Sequence, residues 1–132
     1  MKKVINAIVM LMALTLLIQA QPKLAHYKEA ENNYLKGLKS EIPGIRLASI
    51  TYLGEMKSER AIGYLEDILE DSDSHNEKVA AANSLLNIGT DDSIETLQDF
   101  IAECKDNSFK EECQTLYNKF MENSITQNSS SN

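Results

Sequence analysis

The stretch Arg46-Leu47-Ala48, followed by Ile62, Leu65 and Asp67, returns thirty-two residues later as Lys78-Val79-Ala80, Ile94, Leu97 and Asp99. A period of that length holds two short helices and a turn, and such a unit cannot cover its own apolar face. Neighbouring units must therefore pile together, and the product is an extended surface suited to holding another molecule. The fold class this predicts is all-α: a short α-solenoid of antiparallel helical hairpins, about two and a half units long, behind a leading helix.

Apolar spacing places the elements around that repeat. Leu24, Tyr27, Tyr34, Leu35 and Leu38 recur at helical offsets and predict the leading helix, ending near Ser40. Pro43 fits the first turn of the next helix, where a missing amide hydrogen costs nothing. That helix runs to about Met56 on the stripe Leu47, Ile50, Leu53 and Met56, with Ala48 and Gly54 small where a neighbouring backbone comes close. Ser58 is positioned to cap the following helix, with Glu59 at its dipole-favoured end and Ile62, Leu65, Ile68 and Leu69 buried.

The second unit opens on Ser74-His75-Asn76-Glu77, which has the spacing of a reciprocal capping box, and Ser108-Phe109-Lys110-Glu111 repeats the device 34 residues on. Between the boxes, Val79, Ala82, Leu85, Leu86 and Ile88 form one stripe, Gly89-Thr90-Asp91-Asp92 turns the chain, and Ile94, Leu97, Phe100 and Ile101 form the next. A last helix from about Phe109 to Met121 offers Phe109, Cys113, Leu116, Tyr117 and Phe120 to close the far end. Residues 123–132, rich in Ser, Asn and Gln, read as a disordered tail, because too little apolar surface is there to offset the entropy of ordering.

The first twenty residues have another character. Lys2 and Lys3 precede the apolar run Val4 to Ile18, and Gln19-Ala20 ends on the small residue a signal peptidase needs. The run is shorter than the roughly twenty residues that span a bilayer. Residues 1–20 are therefore read as a secretory signal cleaved after Ala20, leaving 21–122 as the folded domain, and an uncleaved membrane anchor is the competing reading. The expected location is periplasmic or secreted. Removing Lys2 and Lys3 leaves 11 basic residues against 20 acidic, a formal charge of −9. Nucleic acid and anionic membrane surfaces repel such a chain, and neither is an expected partner.

At this point the residues carry a family resemblance. Pro43-Gly44-Ile45-Arg46-Leu47-Ala48 with Tyr52-Leu53-Gly54-Glu55, and Lys78-Val79-Ala80-Ala81-Ala82 with Leu85-Leu86, resemble the HEAT repeat, especially the short variety named after phycobilisome lyases. Ala61-Ile62-Gly63-Tyr64-Leu65 and Ser93-Ile94-Glu95-Thr96-Leu97 match the start of the family's second helix. The resemblance covers about Leu38 to Phe120. In the first turn Lys57-Ser58-Glu59 replaces the usual Gly-Asp, and the third unit keeps only its first helix. The resemblance implies an interaction scaffold more often than an enzyme.

Catalytic chemistry finds few footholds. One enzyme branch resembling this fold holds two irons with His-Glu pairs, and this chain has no adjacent His-Glu pair; His26 and His75 read as solvated side chains. No glycine-rich phosphate loop occurs, and the Ser residues fall in caps or the tail. Catalytic residues, bound metal and cofactor are all expected to be absent. Cys104 and Cys113 flank a helix start, and a disulfide between them in an oxidising compartment and two small buried thiols in a helix interface both fit the spacing.

The second helices of successive units line the inner side of such a stack, so the interaction residues expected from spacing are Arg60, Tyr64 and Asp67 on one and Glu95, Thr96 and Asp99 on the next. Tyr64 is the preferred anchor, with packing against the adjoining hairpin as its alternative role. The function expected is an exported, non-enzymatic scaffold that binds a protein or peptide through an acidic face, with self-association open because so few units bury limited area. The alternatives are a metal- or cofactor-dependent enzyme on the same scaffold and a structural envelope protein held by its uncleaved leader.

Overall fold

The computed structural model describes the backbone of residues 1–129, with side chains described throughout except at positions 3, 11, 13–22, 128 and 129. Among the described residues there are six α-helices, one 3₁₀ turn and no strand: α1 Lys2–Gly37, α2 Pro43–Glu55, the 3₁₀ turn Glu59–Ala61, α3 Ile62–Asp71, α4 His75–Ile88, α5 Asp91–Glu103 and α6 Asn107–Ser129. Contacts divide the chain into two compact units, Met1–Asn33 and a second that begins at Tyr34.

The first unit is one stretch of α1, in which the leader and the leading helix run on without a break. Val4, Ile5, Ile8, Val9, Met10 and Met12 are exposed, and so are Leu24 and Tyr27, which the spacing assigns to a buried stripe. Among the described residues no helix is long and apolar enough to cross a membrane. The expected cleavage point after Ala20 lies among residues whose side chains are outside the description.

The second unit is the repeat stack. Helices α2, α4 and α6 lie side by side with α4 in the middle, and α3 and α5 form a second layer that packs on α4. Equivalent positions of the two full units share their burial: Leu53 and Leu85 are both fully buried, as are Leu65 and Leu97. Positions 49, 81 and 113 hold Ser, Ala and Cys, three small residues buried in successive first helices.

Helix starts keep the same period. Ile42, Ser74 and Asp106 hold the N-terminal cap positions of α2, α4 and α6, each thirty-two positions after the last. Ser58, at the cap position of the 3₁₀ turn that leads into α3, and Thr90, at that of α5, are also thirty-two apart. The expected box at Ser108 is corrected by this: α6 begins at Asn107, and Asp106 Oδ1 accepts the amide hydrogens of Ser108 (3.0 Å) and Phe109 (3.2 Å). Ser58 makes no side-chain cap bond. The box at Ser74 is only half formed. Ser74 Oγ accepts from the Glu77 amide, while the Ser74 amide is taken by Ser72 Oγ at 3.1 Å, which releases the Glu77 carboxylate for other work.

That work is holding two units together. Arg46, on α2, donates from Nε to Glu77 Oε1 at 3.0 Å and approaches it from Nη2 at 2.8 Å, while Ser72 Oγ donates to Oε2 at 3.0 Å. Nη1 of Arg46 also donates to the Ser40 carbonyl at 2.9 Å. The same clamp recurs along the stack: Lys78 Nζ donates to the Glu70 carbonyl and Lys110 Nζ to the Ala102 carbonyl, at 3.3 and 3.2 Å. Lys78 and Lys110 thus each satisfy an orphan carbonyl in the last turn of the preceding helix, while Arg46 bonds the connecting segment just past α1.

Gly54 marks the closest approach of α2 and α4. A Cβ there meets Ser84 Cβ at 2.6 Å and Ser84 Cα at 2.7 Å, and beside it Ser84 Oγ donates to the Ile50 carbonyl at 2.9 Å in a buried bond. Ala48 plays no such part and is exposed. Between the helices of each unit the chain reverses through the left-handed region, at Gly89 with φ +69° and, thirty-two residues earlier, at Lys57 with φ 55°. The substitution of Lys for the family's usual turn glycine therefore leaves the turn intact and strains one residue.

At the C-terminal end, α6 continues past Met121 to Ser129, where composition predicts an unordered tail. Ser124 and Thr126 donate back to the carbonyls of Phe120 and Glu122, so these polar side chains bond within the helix. Residues 130–132 of the expected tail lie outside the described residues.

Two substitutions read these features directly. Gly54→Ala forces α2 and α4 apart and is expected to cost about 1–3 kcal/mol by denaturant unfolding, whereas Gly63→Ala, with nothing within 4 Å of the new methyl, gains about 0.5–1 kcal/mol from helix propensity. Lys57→Gly relieves a left-handed backbone that costs an L-residue about 1–2 kcal/mol and is expected to stabilise the chain by roughly half that. An unchanged or lower melting temperature for Lys57→Gly contradicts the reading of that turn.

Candidate functional site

Two recesses open beside the α3 and α5 layer, and they are the same feature repeated. In the first, of about 690 Å³, Arg46, Asp67, Ile68, Asp71 and Glu77 are among the lining residues. Thirty-two positions on, Lys78, Asp99, Phe100, Glu103 and Phe109 line the second, of about 900 Å³. Each recess is thus shared between successive units: α2, α3 and α4 border the first, and α3, α4, α5 and α6 border the second.

The contents of the two recesses differ. In the first, the Arg46 guanidinium meets the buried Glu77 carboxylate, and the charges of that pair cancel. At the equivalent pair in the second recess, the Lys78 ammonium stands 6.0 Å over the ring of Phe109. Phe109 also meets Phe100 edge-on at 5.8 Å between centroids and His75 at 5.6 Å, so the floor is aromatic. Leu69 and Phe109 are buried beneath the opening and Phe100 is half-buried, while Glu66, Glu70, Asp73, Asp99 and Glu103 stand around it. His75 is exposed and pairs through Nε2 with Glu112 at 3.2 Å.

Of the six residues expected on the interaction face, Asp67 and Asp99 occupy equivalent places in the two recesses. Arg60, Tyr64, Glu95 and Thr96 line neither. Arg60 is exposed on the 3₁₀ turn, and Glu95 is exposed on α5. Thr96 Oγ1 donates to the Asp92 carbonyl of its own helix at 2.9 Å. Tyr64 is 40% exposed, with the Lys39 ammonium 5.8 Å above its ring. Phe109 is core, as its apolar stripe implies, whereas Phe100, placed on the same kind of stripe, is only half-buried and reaches the recess. The thirty-two-residue offset from Ile68 and Glu77 was the signal that locates them.

Cys104 and Cys113 are both free thiols in this structure. Cys113 is fully buried in the small-residue position of α6, and Cys104 sits at the end of α5 with Sγ 3.5 Å from the Asp106 carbonyl oxygen. Burial pushes the Cys113 thiol up to about 12, with Cys104 and Glu112 adding to the rise. It is a neutral packing group at physiological pH, with little thiolate to act as a nucleophile. Among the described residues, no three His, Cys, Asp or Glu side chains converge as metal ligands would.

Neither a curated protein nor a solved structure matches the chain at significance. The family model of HEAT repeats matches residues 35–116, which span both full hairpins and most of the apolar face of α6. The chain belongs to the HEAT-repeat family.

Proposed function

We propose that this chain is an exported, non-enzymatic scaffold that holds a protein or peptide partner in the recesses beside α3 and α5. HEAT repeats generally serve as protein-interaction scaffolds, which gives the class. The observation that carries the reading is that each recess is shared between successive units and so exists only in the assembled stack. A surface made by stacking suits an extended partner that bridges units. The acidic composition makes nucleic acid and anionic membrane poor partners. The basic start, apolar run and Gln19-Ala20 of the leader support export with cleavage after Ala20, to the periplasm or beyond.

The test is crosslinking in the cell, followed by N-terminal sequencing of the chain and identification of what it captures. The expected product begins at Gln21, and the expected partner is a protein whose capture falls sharply with Asp67→Lys or Asp99→Lys. Retention of Met1 in the exported-cell fraction contradicts the cleavage. Capture that ignores both charge reversals contradicts the face.

A further inference from the structure

We infer that Cys104 and Cys113 close into an internal disulfide when the chain folds in an oxidising compartment, tying α6 to the end of α5. The compartment rests on the exported reading above, while the pairing rests on the fold. Three observations converge on it.

The first is placement. Cys104 is the first residue past α5, with a non-helical backbone at φ −60° and ψ 123°, and Cys113 lies in the second turn of α6. Only residues 104–106 separate the two helices. Cys113 is fully buried in the core, and Cys104 packs against that core. After burial, the charge of Cys104 is the next cause that raises the Cys113 thiol, which places the two sulfurs close to one another. A disulfide asks for Cα atoms within about 7 Å, and Cys104, on the connecting segment, is the partner whose backbone no helix holds on both sides.

The second is register. Cys104 follows Ser40 and Ser72 at intervals of thirty-two, and Cys113 follows Ser49 and Ala81. In the two earlier units the hydroxyl accepts the amide hydrogen two residues on, Ser40 Oγ from Ile42 at 3.2 Å and Ser72 Oγ from Ser74 at 3.1 Å. Cys104 does not repeat that bond: its thiol turns to the Asp106 carbonyl at 3.5 Å, and Asp106 Oδ1 caps α6 instead. Both of the chain's cysteines thus fall in one unit, one at the site of a lost turn bond and the other where Ser or Ala fills the same place.

The third is need. The last unit keeps only its first helix, and the places of Leu85 and Ile88, buried in the unit before, are taken by Tyr117 and Phe120, which are half-buried. A covalent tie to α5 adds restraint where packing is thinner, by removing open conformations of the intervening loop from the unfolded chain.

The bond forms by exchange with a disulfide donor, a small one like glutathione disulfide or that of a protein oxidoreductase. The Cys104 thiolate attacks one donor sulfur and expels the other as a thiolate; the Cys113 thiolate then attacks Cys104 Sγ and expels the second. The chain loses two protons and two electrons, and the donor disulfide takes them up as two thiols. In the folded chain a donor reaches Cys104, which is half-buried and lines the second recess, whereas Cys113 is sealed and scarce in thiolate. Closure is therefore fast while the chain is folding and Cys113 is still in water, and slow once α6 has packed.

The test is oxidative refolding of the purified chain in glutathione disulfide, followed by alkylation of remaining thiols, intact mass, and melting before and after reduction. The expected product is a monomer with neither cysteine alkylated, whose melting temperature falls by roughly 10 °C on reduction. A chain folded under reductant first and then given the same donor takes it up at Cys104 and closes more slowly. Cys113→Ala and Cys104→Ser place at these positions the residues found at 81 and 72; both are expected to fold and to lose the shift on reduction. Two alkylated thiols after oxidative refolding, disulfide-linked dimers in place of the internal bond, or melting indifferent to reduction overturns the inference. Free thiols in the chain recovered from the cell, alongside closure of the purified chain, contradict the exported location and leave the pairing standing.

Discussion

The close approach of α2 to α4 is the constraint on which the rest of this structure depends. With no side chain at Gly54, the two backbones come near enough for Ser84 to donate to the Ile50 carbonyl, and Leu53 and Leu85 are sealed inside. A two-helix unit has no core of its own, so this contact turns two hairpins into one folded body. The Arg46–Glu77 bond lies across the same interface and is geometrically specific. Its net contribution is set by a balance between attraction and the cost of burying Glu77, so its clearest effect is on register: only one alignment of the units puts guanidinium beside carboxylate.

Once the units are aligned, function follows from what the period repeats and what it varies. The clamp from a basic residue to the preceding helix end recurs at Lys78 and Lys110, with Arg46 bonding the segment just past α1, and this is shared scaffolding. The pair facing each recess changes from Arg46 and Glu77 to Lys78 and Phe109. The first combination closes on itself. The second puts an ammonium over a buried ring and leaves the carboxylates of α3 and α5 at the opening without an ion pair.

Much of this is legible in the sequence because the thirty-two-residue echo is carried by buried positions. Leu53 with Leu85, and Leu65 with Leu97, must recur for units to stack, and they do. Helix starts were harder to read. Asp106, Asn107 and Ser108 are all good capping residues, and local chemistry does not choose among them; the period does, selecting Asp106 as the counterpart of Ser74. Glu77 illustrates a deeper limit, since its spacing from Ser74 suits a local box while its carboxylate is claimed by Arg46 from another hairpin. A tertiary partner outcompetes a local one without leaving a mark in the sequence. The recess was hidden for a similar reason: helical periodicity assigns Phe100 to a face, but only packing decides how much of its ring stays uncovered.

Native-state hydrogen exchange tests the central claim most directly, because it reads whether α2 and α4 open together. If their contact makes the stack one body, the amides of Leu53 and Leu85 exchange through a shared opening with the same free energy and the same dependence on denaturant. An α2 that opens alone, with Leu53 exchanging at a free energy lower than that of Leu85 by more than about 1 kcal/mol, would show hairpins folding independently and contradict the account.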